Sequence, residues 1–186
     1  MRRLGMIVTL LVSMGAFYAM SQSLEPKWAG SVSLIVVDGD SIAVPAEKAN
    51  VKVKTANSVG RLLVGIGNTT SKVVVAGPSS TTQLKADAPV LILVKCKDNE
   101  TDPMSFIQVV KFDEKKKERV TELANVNWVG NVSEGNMKLM PYEAESYGKS
   151  SYLLKMEPVA GEYGVRILNP NEKDEKVTIF HCFGVR

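Results

Sequence analysis

The segment KDNETDP, residues 97–103, is the best candidate in the sequence for a group of side chains that could bind a hard cation. Its candidate ligands are Asp98, Asn99, Glu100 and Asp102. Calcium needs several oxygens that converge on one point, and an EF-hand loop provides them at fixed spacing around a central glycine. This segment has neither that spacing nor that glycine, so we favour a solvated turn with side-chain to backbone hydrogen bonds. We predict no metal and no cofactor, and keep these four as candidate binding residues.

Nucleophilic catalysis would require a nucleophile with a base beside it. The one histidine, His181, lies in an apolar run that predicts a strand, where we expect a buried or edge histidine. Ser79-Ser80 and Ser150-Ser151 follow glycine-containing turns, but neither pair lies in the GxSxG turn of a hydrolase. We therefore assign no catalytic residue and favour a protein that is not an enzyme. A hydrolase that uses scattered carboxylates stays open, because only their separation in space would reveal it.

The two cysteines, Cys96 and Cys182, each lie in an apolar run. In an oxidising compartment they could form one disulfide, which would stabilise the fold by ~3–4 kcal/mol in the chain-entropy model. Neither lies in a CxxC motif, so redox catalysis is not indicated. Free buried thiols and a Cys96–Cys182 disulfide are both open, with the free thiols favoured. We expect neither cysteine to be essential to the fold.

Aromatic residues could form a platform that stacks on sugars or binds a protein. The candidates are Trp28, Trp128, Tyr142 and Tyr147. Loops and strand ends are freer than inward positions to carry function, so we select Trp128 and Tyr142 together with the loop at Asp98–Asp102. If they bind a partner, alanine replacements at Trp128 and Tyr142 should weaken binding and leave thermal stability nearly unchanged. If they belong to the core, the same replacements should unfold the protein.

Most of the chain consists of short aliphatic, β-branched and aromatic runs separated by turn residues. The runs SVSLIVV and SIAVP, for example, flank Asp38-Gly39-Asp40, and Asp-Gly accepts the positive φ of a tight hairpin. Roughly a dozen such runs without intervening helices predict an all-β fold. We expect an antiparallel two-sheet sandwich, immunoglobulin-like in general architecture, formed by residues 22–186 as a single domain. The alternative is two small β-domains that divide near residues 97–103.

Two segments test this fold prediction in detail. DEKKKERVTELA, residues 113–124, could be a charged helix, but β-rich runs flank it and we favour a hairpin with a solvated tip at Asp113–Glu118. The C-terminal segment, residues 147–186, has three apolar runs separated by turns. Its alternating residues predict three consecutive strands that form an antiparallel meander and close a core.

Residues 1–21 have the layout of a secretory signal peptide. Arg2 and Arg3 precede the apolar run Met6–Met14, and Ala19 and Ser21 are small residues at cleavage-site spacing. Cleavage would leave 165 residues with 21 basic and 20 acidic side chains, hence a formal charge of +1. Such a balance gives no electrostatic reason to expect nucleic acid as a partner. We expect a periplasmic, secreted or cell-surface protein with no stable membrane span after cleavage.

Several stretches resemble one family. They are YGKSSYLL, PVAGEYGV and the terminal FGV, together with KWAGSVSLI, VGIGNTTSKVVVAGPSS and VLILVKCKDNETDPMSFIQVVKFDEKKKERV. The resemblance is to exported all-β proteins of unknown function from gut-dwelling Gram-negative bacteria of the Bacteroides type, and it extends from Trp28 to the end. It implies a secreted all-β protein and brings no activity. His181-Cys182-Phe183 departs from the family pattern, so neither His181 nor Cys182 takes a role from it.

These observations favour an exported, non-enzymatic binding or structural module whose partner is an unknown protein or glycan. The first alternative is a carbohydrate-active or other hydrolase that uses scattered carboxylates. The second is an assembly or adhesion subunit, for which an exposed edge strand would be the structural sign.

Overall fold

The computed structural model describes residues 24–38, 40–55, 69–126, 132–134, 137–168 and 179–186. It confirms the all-β prediction, since the elements are strands and one short 3-10 helix, Pro103–Ser105. The described strands are β1 (Val32–Asp38), β2 (Asp40–Pro45), β3 (Glu47–Asn50), β4 (Lys52–Thr55), β5 (Thr69–Ala76), β6 (Gln83–Leu84), β7 (Val90–Lys95), β8 (Ile107–Glu114), β9 (Glu118–Val126), β10 (Val132–Glu134), β11 (Lys138–Leu139), β12 (Glu143–Tyr147), β13 (Ser151–Met156), β14 (Gly161–Ile167) and β15 (Ile179–Val185).

The first sheet is open and has the strand order β12-β13-β7-β1-β2. All four of its neighbouring pairs are antiparallel. β12 and β13, which follow residues 97–103, join the three strands that precede this segment through the pairing of β13 with β7. The two halves of the chain on either side of that segment therefore do not form separate sheets.

The second sheet closes on itself. Its main path is β3-β15-β14-β8-β9-β5-β4, and β3 and β4 at the two ends are consecutive strands separated by Val51 alone. β3 pairs with β15, whereas β4 pairs with β5, so one extended stretch of chain joins the two ends of the sheet. Three short strands lie off this path: β10 pairs with β9, β11 pairs with β8, and β6 runs parallel to β15.

The charged segment at residues 113–124 is a hairpin, as predicted, and not a helix. Asp113 lies opposite Val120 and Glu114 opposite Arg119, and Lys115 N donates to the carbonyl oxygen of Glu118. Beyond these two pairs β9 leaves β8, whereas its pairing with β5 continues from Glu118 to Val126. β11 then occupies the edge of β8 that β9 has left.

The C-terminal meander was predicted only in part. β14 and β15 pair as expected, but β13 pairs with β7 and β12 in the first sheet. The chain crosses from the first sheet to the second at residues 157–160, which include Pro158. A proline has no backbone N–H to donate to a strand ladder, so the pairing of β13 within the first sheet ends at this crossing.

Alternating side chains on the strands of the second sheet contribute to two different cores. On β8, Ile107 and Val109 pack between the two sheets, whereas Val110 and Phe112 point into the closed second sheet. The core between the sheets consists of Val32, Leu34, Ala46, Val90, Ile92, Val94, Ile107, Val109, Tyr152, Leu154, Met156, Tyr163, Val165, Phe183 and Val185. The core inside the closed sheet consists of Ala49, Val73, Val75, Val110, Phe112, Phe180 and Cys182. Burial of each large side chain contributes about 1.5–3 kcal/mol.

Candidate functional site

The predicted binding loop at Asp98–Asp102 is held by hydrogen bonds within the protein. Asp98 Oδ1 accepts from Glu100 N at 3.3 Å, and Asp102 Oδ1 accepts from Met104 N at 3.0 Å and so caps the 3-10 helix. The Asn99 side-chain amide donates to the Ser151 carbonyl oxygen at 3.3 Å. These contacts confirm the turn with side-chain to backbone bonds. Within the described ranges, no group of three or more His, Cys, Asp or Glu residues is placed to hold a metal ion.

Tyr142 lies beside this loop, an adjacency that the sequence could not predict. Its hydroxyl donates to the Ile107 carbonyl oxygen at 2.8 Å and lies 3.3 Å from that of Pro103. Its ring packs against the core between the sheets and is half-buried. Burial, together with the nearby charge of Asp102, raises the pKa of Tyr142 to about 12. Tyr142 is therefore a rim residue with a structural role, and its replacement by alanine should affect stability.

A shallow groove of ≈ 250 Å³ adjoins Tyr142 at the end of the first sheet. It is lined by Pro141, Tyr142, Glu143, Lys155, Met156 and Glu157. Trp128, the other selected aromatic residue, lies outside the described residues. Trp28 is 68% exposed and has the ammonium of Lys27 4.8 Å from its ring centroid. The platform of several aromatic residues stays a prediction.

Two buried charges inside the second sheet were missed by sequence reasoning. Arg119 and Glu162 are both 0% exposed. Arg119 Nη2 donates to Glu47 Oε1 at 3.0 Å, and Arg119 Nη1 lies 3.5 Å from Glu162 Oε2. Glu162 also accepts from Ser80 N at 2.7 Å and from Arg186 Nη2 at 2.8 Å. Glu162 is fully buried, and the contacts of Glu47, Arg119 and Glu162 join three strands, so these groups form a structural ion network.

The network also sets the protonation of Glu47. Burial acts to raise the pKa of its carboxyl group, but hydrogen bonds from Ser80, Thr81 and Arg119 outweigh burial and hold the pKa below its ordinary value. The backbone N–H of Thr81 donates to Glu47 Oε2 at 2.8 Å. Glu47 is therefore ionised in the folded protein near neutral pH. Its ion pair with Arg119 joins β3, at one end of the second sheet, to β9.

A second polar cluster fixes the beginning of the described chain to the first sheet. Glu25 Oε1 accepts from Lys95 Nζ at 2.9 Å, from Ser151 Oγ at 2.7 Å and from Ser150 N at 3.1 Å. Burial acts to raise the pKa of Glu25, but these bonds and the Lys95 charge outweigh it and lower the pKa from 4.5 to about 2. The carboxylate thus joins residues 24–30 to β7 and β13.

We expect Glu25→Gln to lower the free energy of unfolding at pH 7 by about 1.5–3 kcal/mol, the usual contribution of hydrogen bonds to a charged group. The folded-state pKa of Glu25 is lowered, so its contribution is complete above about pH 4.5 and is lost as the pH falls toward about 2. Urea unfolding at several pH values should show the wild-type and variant stabilities converging over that range. Glu145→Gln, on the exposed strand β12, is the control and should change little. A difference as large at pH 2 as at pH 7 would contradict the prediction.

The thiols and the histidine are held in structural positions. Cys96 and Cys182 are free, as favoured from the sequence, and they pack against different cores. Burial raises the pKa of Cys96 to about 11 and that of Cys182 to about 12, so both are protonated at neutral pH and poorly nucleophilic. His181 is buried, and burial together with Lys48 lowers its pKa against an opposing hydrogen bond with the Gly30 backbone.

The two edges of the first sheet differ in character. β12 forms one edge and exposes Glu143 and Glu145. β2 forms the other edge, and its sequence between Ser41 and Pro45 has no ionisable side chain. Beside this edge Val37 is 66% exposed and Ile42 is 53% exposed. Charged residues commonly protect edge strands from further pairing, and β2 lacks that protection over this stretch.

Comparison with known proteins finds no matching family model and no significantly similar curated protein. Within the part of the chain that the structure describes, no helix is long and apolar enough to cross a lipid bilayer.

An exposed edge strand was the structural sign expected of an assembly subunit, but the sequence did not indicate which strand would lie at an edge. The run SIAVP predicts a strand but carries no signal that this strand lies at an edge.

Proposed function

We propose that this protein is an exported binding module without catalytic activity, and that it binds an extended segment of a protein partner along the open edge of β2. The observation that carries the proposal is the uncharged edge at Ser41–Pro45, which exposes Ile42 and lies beside the exposed Val37 of β1. An open edge presents backbone N–H and C=O groups that match the backbone of another strand. That chemistry favours a protein partner over a glycan.

The contacts of the ionisable groups support the non-enzymatic part of the proposal. Glu25, Glu47 and Glu162 accept hydrogen bonds that hold the fold together. The two thiols have raised pKa values, and the histidine is buried with a lowered one. Each of these groups thus has a structural explanation, and none needs a substrate to account for its position.

Export is supported by the signal-peptide layout of residues 1–21 and by the resemblance to exported all-β proteins from Bacteroides-type bacteria. Glu25, held by Lys95 and Ser151, lies shortly after the predicted cleavage position. A mature chain that begins at Gln22 would therefore retain the contacts that fix its first residues to the sheet. Amino-terminal sequencing of the secreted protein tests this directly, with Gln22 as the expected first residue.

The binding proposal is tested by affinity capture from the cell envelope, with Ala43→Lys as the edge variant. A lysine at this exposed position on β2 puts a charge beside the open edge. Ala144→Lys is the matched control, since Ala144 is an exposed alanine on the opposite edge strand. We expect the wild type and the control to recover the partner, and Ala43→Lys to lose it at an unchanged melting temperature. Equal recovery by all three proteins would contradict the proposal.

A further inference from the structure

The hydrogen-bond pattern of the first sheet determines which backbone groups of β2 point outward. Ala46 N donates to the Val32 carbonyl oxygen, and Ala46 and Val32 lie directly opposite each other in the β1–β2 register. Hydrogen-bonded pairs alternate along an antiparallel ladder, so Val44 and Ile42 also face β1. The N–H and C=O groups of Ser41 and Ala43 therefore point toward the open edge, and no described strand lies beyond them.

The hydrogen bonds between β1 and β7 confirm this alternation of backbone direction along β1. Lys95 N donates to the Ser31 carbonyl oxygen, and the register continues from there through Ser33 opposite Leu93. Odd-numbered residues of β1 thus bond to β7 and even-numbered ones to β2. Two donors and two acceptors, those of Ser41 and Ala43, are left on the outer side of β2.

We propose that this edge pairs with the same edge of a second copy of the chain, around a two-fold axis at Ile42. In that register Ser41 of each copy lies opposite Ala43 of the other, so two donors and two acceptors per copy form four interchain hydrogen bonds. The two Ile42 residues become a non-hydrogen-bonded pair, whose side chains approach most closely. The two five-stranded sheets would then form one continuous antiparallel sheet. This inference rests on the proposed function, because it identifies the partner at the same edge.

The end of β2 excludes a neighbouring register. A two-fold axis at Ala43 would place Ser41 opposite Pro45, which has no N–H to donate. The carbonyl oxygen of Pro45 already accepts from Thr82 Oγ1 at 3.1 Å. In that register the two Ala43 residues would still exchange two hydrogen bonds, but the backbone groups of Ser41 would find no donor on Pro45 and an acceptor that is already bonded. Of these two registers, the one centred on Ile42 uses all the outward groups of Ser41 and Ala43.

Charge also favours a second copy at this edge. Two β2 strands bring together stretches without ionisable side chains from Ser41 to Pro45, so no like charges are opposed there. Pairing of two β12 strands would instead bring Glu143 and Glu145 of one copy close to those of the other. A closed pair through β2 further shields Ile42, which is 53% exposed in the single chain. A two-fold contact of this kind ends with two copies.

The test is the mass of the purified secreted protein by light scattering over a range of concentrations. We expect a concentration-dependent rise to twice the mass of one chain. Ala43→Lys should raise the dimer dissociation constant by at least about tenfold, and Ala144→Lys should leave it unchanged. Amide exchange adds a residue-level readout: the N–H groups of Ser41 and Ala43 should gain protection as concentration rises, whereas that of Ile42 is protected throughout by β1.

Each other outcome overturns the inference in a distinguishable way. A purified protein that stays monomeric, with envelope capture still lost in Ala43→Lys, would refute self-pairing and leave the proposed function in place. Monomers combined with capture unaffected by Ala43→Lys would refute both. Open-ended polymers that are removed equally by Ala43→Lys and Ala144→Lys would show that β2 pairs with β12 instead. A dimer that is insensitive to Ala43→Lys would place the interface elsewhere.

Discussion

Arg119→Met is expected to lower the free energy of unfolding by about 3–5 kcal/mol, the usual effect of removing one partner from a buried ion pair. Arg119 and Glu162 are both 0% exposed, and the guanidinium also bonds Glu47 and the Ala76 carbonyl oxygen. Methionine fills similar space but leaves Glu162 as a buried carboxylate without its internal cation. Urea unfolding monitored by circular dichroism measures the loss.

Two further variants separate this effect from general disruption. Lys138→Met removes the Lys138–Asp113 pair, whose side chains are 61% and 59% exposed, and should change stability by less than about 1 kcal/mol. In Arg119→Met the buried Glu162 carboxylate keeps only the half-exposed Arg186 as a cationic partner, so adding Glu162→Gln, which removes that buried charge, should give a protein more stable than Arg119→Met alone. An Arg119→Met variant no less stable than Lys138→Met would show that the buried network does not support the fold.

Gly164→Ala is expected to lower the free energy of unfolding by about 1–3 kcal/mol, although a glycine in a strand is ordinarily the weaker residue. A Cβ at position 164 would lie 2.7 Å from Phe112 Cε2 and 2.8 Å from Phe180 Cδ1. These two rings form an edge-to-face pair with centroids 5.5 Å apart inside the closed sheet. The methyl group would have to separate them.

A double-mutant cycle checks the cause of this loss. Phe112→Leu removes part of the obstructing ring, so Gly164→Ala together with Phe112→Leu should be less destabilised than the sum of the two single variants. Strict additivity would show that the ring contact is not responsible. An increase in stability for Gly164→Ala alone would contradict the packing argument itself.

Local alternation was sufficient to predict how individual strands bury their side chains. Tyr152, Leu154 and Met156 alternate along the chain, which predicts that they share one face of a strand, and all three lie in the core between the sheets. The hairpin tip at Asp113–Glu118 was likewise predictable, because a run of charged side chains between two apolar strands favours a solvent-exposed turn. Such predictions depend on residues close together in sequence.

The second core could not be predicted in this way. Glu162 and Gly164 alternate with Tyr163 and Val165, a pattern typical of a strand with one solvated face. In a flat two-sheet sandwich that face would indeed be wet. Because the second sheet closes through β3 and β4, the same face becomes interior, and Glu162 needs the cation of Arg119 from a distant strand. The closure depends on pairings across most of the chain.

The candidate binding surface divides in the same way. The loop at Asp98–Asp102 was predictable from its composition, because the hydrogen bonds that Asp98 and Asp102 accept are local. The open edge at β2 was not, because a strand becomes an edge only through the order of the whole sheet. The local sequence SIAVP does not show whether another strand pairs with the outer side of β2.

The joining of β3 to β15 determines when the chain can fold. Glu47 lies opposite Cys182 in that pair, so the second sheet cannot close until nearly the whole chain has been synthesised. Contacts between residues so far apart in sequence form slowly, because the long intervening loop loses conformational entropy before the contacts stabilise it. An N-terminal portion that emerges first therefore has no complete sheet to enter. For the export proposed above, this delay would keep the polypeptide unfolded long enough to pass through a secretion channel before the second sheet closes.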